Sequence, residues 1–164
     1  MIALVLGGAR SGKSAFAERL AARLSPPVTY VATARVSDPD MAERVAAHRA
    51  RRPAEWRTVE ALDDLAGSLA ALDGTVLVDS LGTWTAGAVD FEPDTEALCE
   101  VLRRRPGDTV IVSDEVGLGV HPSSEVGRRF RDALGTINQA VAAVADDVVL
   151  VVAGRPLHLG PAEP

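Results

Sequence analysis

Lysine is almost missing from this chain of 164 residues: Lys13 stands alone against 16 arginines. A lysine is a compact point charge and an arginine a broad planar fork, so a lone lysine in an arginine background marks a place where the fork does not fit. Cysteine is as scarce. Cys99 is the only one, which excludes an intrachain disulfide and fits a reducing cytosol. Long apolar runs are absent. Residues 2–6 are too few for a secretory h-region, and no later run approaches the roughly 18 residues of a membrane span. Positive charge is not in excess either. The formal net charge of −6 argues against a general nucleic-acid binder, while clustered arginines and main-chain amides still allow local phosphate binding. The expectation is a cytoplasmic protein without a membrane span, with an apolar content of 47% that suffices for one ordinary core.

What is present alternates. Residues 2–6, 28–32, 76–79, 109–112 and 148–152 read as buried strands, and 56–60 as a short additional one. Helical patterns fall between them. One covers 14–24 and is stopped by Pro26-Pro27; another runs from about 40 to 51, opened by Asp38-Pro39 and ended by Pro53. A weaker helix spans 62–72, a further one spans 94–105, and the best spans 123–145. In the last, Val126, Phe130, Leu134, Ile137, Val141 and Val144 form one apolar stripe. Residues 155–164, rich in Pro and Gly, read as a loose tail. Strand–helix alternation predicts an α/β fold, a mostly parallel sheet with helices on both faces, in a single domain of residues 1–164.

Residues 7–14, Gly-Gly-Ala-Arg-Ser-Gly-Lys-Ser, match G-x-x-x-x-G-K-[ST] at every position, after a strand and at the opening of a helix. Main-chain N–H groups of such a loop turn onto phosphate oxygens, which needs glycine where the backbone comes close. The helix that follows points its positive end at the anion. Lys13 reaches β- and γ-phosphates, and the Ser14 hydroxyl is a Mg²⁺ ligand candidate. A metal-side acid belongs at the end of a neighbouring strand. Asp79 fits and is favoured; Asp114 and Glu115 fit as well, and turn or capping chemistry is the bland alternative for either place. A protein-kinase reading needs a second, strand-borne lysine, and the chain has none.

His48 lies late in the helix of residues 40–51, among Arg44, Arg49, Arg51, Arg52 and Arg57. An imidazole nitrogen can attack the α-phosphorus of a nucleoside triphosphate and carry the nucleotidyl group as a phosphoramidate. Arginines would steady the leaving pyrophosphate. Against this, Met41, Val45 and His48 share helical spacing, so His48 can equally edge a buried face. His121 and His158 have no comparable surroundings.

Taken together, residues 7–14, Tyr30-Val31-Ala32-Thr33-Ala34, residues 41–49 with 52–60, Val78-Asp79-Ser80-Leu81, residues 113–122, and 129–139 resemble the bifunctional adenosylcobinamide kinase / adenosylcobinamide-phosphate guanylyltransferase family of cobalamin synthesis. The resemblance implies a P-loop NTPase of the RecA-like branch and a homotrimer. It implies that ATP or GTP phosphorylates adenosylcobinamide with Mg²⁺, and that GMP from GTP then reaches the product through a guanylyl-histidine at His48. By position it implies nucleotide contacts at Gly7, Gly8, Ala9, Arg10, Ser11, Gly12, Lys13, Ser14, Ala32, Thr33, Ala34, Arg49, Ala50, Arg51, Arg52, Glu60 and Asp79, with metal at Ser14 and Asp79. Residues 80–96 look short beside the family, and Gly82, Gly87 and Pro93 weaken a helix there. Two rivals are a monofunctional small-molecule P-loop kinase and a nucleotide-switched binding module.

Overall fold

The computed structural model describes residues 1–34 and 52–161. The helix expected over 40–51, and with it His48, Arg49, Ala50 and Arg51, lies outside them. In chain order the elements are β1 (Ile2–Gly7), α1 (Lys13–Ala21), β2 (Val28–Ala32), β3 (Arg57–Glu60), α2 (Leu65–Ala70), β4 (Thr75–Asp79), α3 (Leu81–Gly87), α4 (Thr95–Arg104), β5 (Thr109–Asp114), α5 (Glu125–Ala142), β6 (Asp147–Val152) and β7 (Arg155–Leu159). The sheet order is β3-β2-β4-β5-β1-β6-β7. Every neighbouring pair is parallel except β6–β7.

The continuous apolar runs are explained by burial on both faces. Leu4, Leu6, Val76, Val78 and Ile111 point to one side, where α2, α3, α4 and α5 supply Leu65, Leu69, Leu81, Leu98, Leu102, Leu134 and Val141. Val5, Leu77, Val110 and Val112 point to the other, where α1 brings Ala17 and Ala21. The alternation has the two-residue period of a strand, with both phases apolar.

Three expectations change. Residues 155–159 are not a loose tail but a strand, antiparallel to β6. Ala153 and Gly154, at φ 50° and 76°, make the two-residue turn, and both positive φ values match the twist that a hairpin needs. Second, residues 81–87 do form a helix despite Gly82 and Gly87. Ser80 Oγ accepts from Thr83 N, and Thr83 Oγ1 accepts from Ser80 N, a reciprocal cap. Burial of Leu81 and Trp84 does the rest. Third, Val126 is exposed, so the buried stripe of α5 starts at Phe130, which meets Phe91 edge-on at 5.5 Å between ring centres. Among the described residues no helix is long and apolar enough to cross a membrane.

Candidate functional site

The carboxyl ends of β1, β2, β3, β4 and β5 meet along one edge of the sheet, where ligands of open α/β folds bind. The loop from β1 to α1 sits there. Gly7 is buried, and a Cβ on it would run into Ser11 Oγ and come within 2.8 Å of the Val151 carbonyl. Gly12 takes φ 92° as the N-cap of α1, a conformation open to glycine at little cost. Ser11 N donates to Gly8 O at 3.2 Å, Phe16 N to Gly12 O at 3.0 Å, and Lys13 N to Ser11 Oγ at 3.3 Å. The amides of Ala9, Arg10 and Gly12 have no hydrogen-bond partner among the described residues, and all three residues are exposed. Unspent donors on a curved backbone at a helix start form an anion cradle.

Lys13 Nζ is 2.7 Å from Asp114 Oδ1 and donates to Gly8 O at 3.2 Å. Asp114 ends β5, the strand between β1 and β4, and Glu115 follows it. Their backbone is bolted down: Glu115 N donates to Gly7 O, and Asn138 Nδ2 donates to Asp114 O while Ser113 Oγ bonds Asn138 Oδ1. Gly82 leaves the space that Asp114 occupies, since a Cβ there would collide with Asp114 Oδ2. The acid that meets the lysine is therefore Asp114. Asp79 sits one strand further along, and its Oδ2 accepts from Tyr30 Oη at 3.0 Å.

The remaining candidates fall in register. Glu60, Ala32 and Asp79 are Cα partners across β3, β2 and β4, so one row holds all three. Ala32, Ala34 and Asp79 are half-buried and Glu60 is exposed. Thr33 differs: its side chain is buried, accepts from Ser80 N, donates to Ser80 O and meets Thr83 Oγ1. Any ligand contact at Thr33 falls to its main chain. Arg52 lies with its guanidinium carbon 3.4 Å from the centre of the Tyr30 ring. Burial, then the Asp79 carboxylate, pushes the Tyr30 phenol far up, so it is a neutral donor at physiological pH.

Among the described residues no three His, Cys, Asp or Glu side chains gather to cage an ion. Ser14, in the first turn of α1, and Asp79 are oxygen donors at this edge beside Asp114, which is paired with Lys13. A hydroxyl and a carboxylate suit Mg²⁺, which takes few protein ligands and keeps water and phosphate oxygens. A separate groove of about 360 Å³ lies between α2, α3 and the start of α4, against Leu65, Trp84 and Val89. It shares no residue with the phosphate cradle. Its Asp64 and Asp94 are spent capping α2 and α4.

Tyr30, Gly82, Asn138 and Gly154 were not legible as site residues. Tyr30 reads as an ordinary strand aromatic, Asn138 acts through a long-range side-chain amide contact to β5, and the two glycines act through close approach, none of which spacing encodes. Gly154 N donates to Ser11 O at 2.8 Å, so the β6–β7 turn braces the cradle from outside.

The family model for cobinamide kinase / cobinamide phosphate guanyltransferase matches residues 3–159. The chain is 45% identical to the bifunctional adenosylcobalamin biosynthesis protein CobP of Pseudomonas aeruginosa, over 95% of each chain. It is 38% identical to the bifunctional adenosylcobalamin biosynthesis protein CobU of Salmonella typhimurium, over 94% of this chain and 97% of that one. Among solved structures, an ATPase of a bacterial type III secretion system superposes with a TM-score of 0.56 at 14% identity, over 91% of this chain and 50% of that one. That likeness shows the fold, an α/β P-loop NTPase.

Proposed function

Because the chain belongs to the cobinamide kinase / cobinamide phosphate guanyltransferase family and is a transferase, we propose that its one phosphate cradle serves two successive transfers to one acceptor. In the first, the acceptor hydroxyl of adenosylcobinamide attacks the γ-phosphorus of ATP or GTP. The bond to the β–γ bridging oxygen breaks, the nucleoside diphosphate leaves, and the hydroxyl proton passes to solvent. The loop amides and Lys13 hold the β- and γ-phosphates, for which Lys13 exchanges Asp114.

In the second, an imidazole nitrogen of His48 attacks the α-phosphorus of GTP and pyrophosphate leaves. The phosphate of the first product then attacks the same phosphorus, the N–P bond breaks, and the imidazole is restored. Arg49, Arg51 and Arg52 neutralise phosphate oxygens, with Ala50 among them, while Ala32, Ala34 and Glu60 line the nucleotide along the sheet edge. Mg²⁺, held by Ser14 and Asp79, would supply charge neutralisation on the phosphates. The observation that carries this reading is the open loop of unspent amides closed by the chain's only lysine.

Intact-mass spectrometry after incubation with GTP and Mg²⁺ tests it. The wild type is expected to gain one GMP through an acid-labile, base-stable bond, and His48→Ala to gain none. A variant that still labels removes His48 as the nucleophile. Phosphoryl transfer by a wild type that never labels leaves a monofunctional kinase.

A further inference from the structure

Tyr30 is the single tyrosine of the chain, and packing alone does not account for it. Its ring belongs to the buried cluster under α1, a role that phenylalanine would fill equally well. The hydroxyl goes instead to Asp79 Oδ2, at the end of β4. The ring face goes to Arg52, well inside the roughly 6 Å over which a guanidinium and an aromatic ring attract. A planar fork can lie flat on a ring and an ammonium cannot, so the stack favours arginine over lysine at 52. Arg52 follows His48 by four positions in the sequence, and Asp79 ends β4, one strand beyond the strand whose Asp114 meets Lys13.

We propose that Tyr30 is a two-ended positioning residue: its ring aligns Arg52 for the triphosphate, and its hydroxyl fixes Asp79. The inference rests on the reading above for what Arg52 and Asp79 do. Tyr30 itself touches no reacting atom. With only two side-chain torsions and a buried strand behind it, it orders both partners at little entropic cost. One side chain thereby sets the distance between Arg52 and the strand acid.

The test is nucleotide affinity on the full chain, measured by displacing a fluorescent GTP analogue with GTP, with and without Mg²⁺. Arg52→Ala is expected to weaken binding about tenfold in the wild type and in Tyr30→Phe, which keeps the platform. In Tyr30→Leu, which removes it, Arg52→Ala should cost less than about twofold further. Tyr30→Phe should leave metal-free affinity unchanged yet cut the gain on adding Mg²⁺ about fivefold, and it should add nothing in an Asp79→Asn background.

A merely packing role predicts additive losses and an unchanged Mg²⁺ gain, and either result overturns the proposal. If Tyr30→Leu does not fold, Arg52→Lys replaces it: the loss should equal that of Arg52→Ala, and wild-type affinity in Arg52→Lys refutes the stacking arm. These ratios need no covalent adduct. A wild type that never takes up GMP therefore sinks the guanylyltransfer reading without touching them.

Discussion

Tyr30 can be followed by its own absorbance. Burial and the Asp79 carboxylate raise its phenol above the ordinary value of 10.0. The hydroxyl's contribution to stability is therefore full below about pH 10 and is lost as pH rises from there towards the folded value. Ultraviolet titration should show no tyrosinate while the protein stays folded, then a single step together with loss of structure. A smooth titration near 10 in the folded protein would mean that the phenol is not held as described. Other residues were readable because their chemistry is local. Residues 7–14 carry their own chemistry in sequence, and Lys13 drew notice by being alone. Asp79 and Asp114 were both plausible because each ends a strand, and only the strand order decides which one meets Lys13. Gly82 looked like a helix weakness, whereas it is the gap that admits the Asp114 carboxylate.

At the level of elements, the six strands with apolar runs or a flanking proline were legible, and the seventh was not. The segment Arg155–Leu159 is exposed along its length, so it carries no buried pattern to read. Its turn is Ala-Gly and lacks the Asn-Gly or Asp-Gly that signals a tight hairpin. Ala153 at φ 50° is in the left-handed region, which asparagine enters more readily than alanine. Ala153→Asn is expected to stabilise the protein by about 0.5 kcal/mol, a rise of one or two degrees in Tm by calorimetry. A fall in Tm would mean that the alanine methyl is needed where it is. The α3 helix was missed for a different reason. Propensity counted Gly82 and Gly87 against it, while the local Ser80–Thr83 cap has Thr where Glu or Gln is usual and the burial of Trp84 is a tertiary gain that local sequence understates.

Across the whole molecule the two ends of the sheet do different work. At the amino-terminal edge, the half-buried Arg105 guanidinium gives hydrogen bonds to Leu69 O, Leu72 O, Gly74 O, Gly107 O, Asp108 O and Thr109 Oγ1. That clamp is remote from the phosphate edge. Arg105→Ala should cost about 3 kcal/mol of stability in denaturant unfolding while sparing nucleotide affinity in the protein that remains folded. A large affinity loss at unchanged stability would contradict that separation. The opposite edge draws on the entire length of the chain. The phosphate loop is written in the first 14 residues, yet its sheet neighbours come from residues 109–115 and 147–152, and Ser11 is held by Gly154. Protein synthesis runs from the amino to the carboxyl end, so residues 7–14 emerge more than a hundred residues ahead of Gly154, which braces them, and acquire their shape only after it. Stalled nascent chains of increasing length should capture nucleotide only once residue 154 has cleared the ribosome, and until then a growing chain holds no GTP.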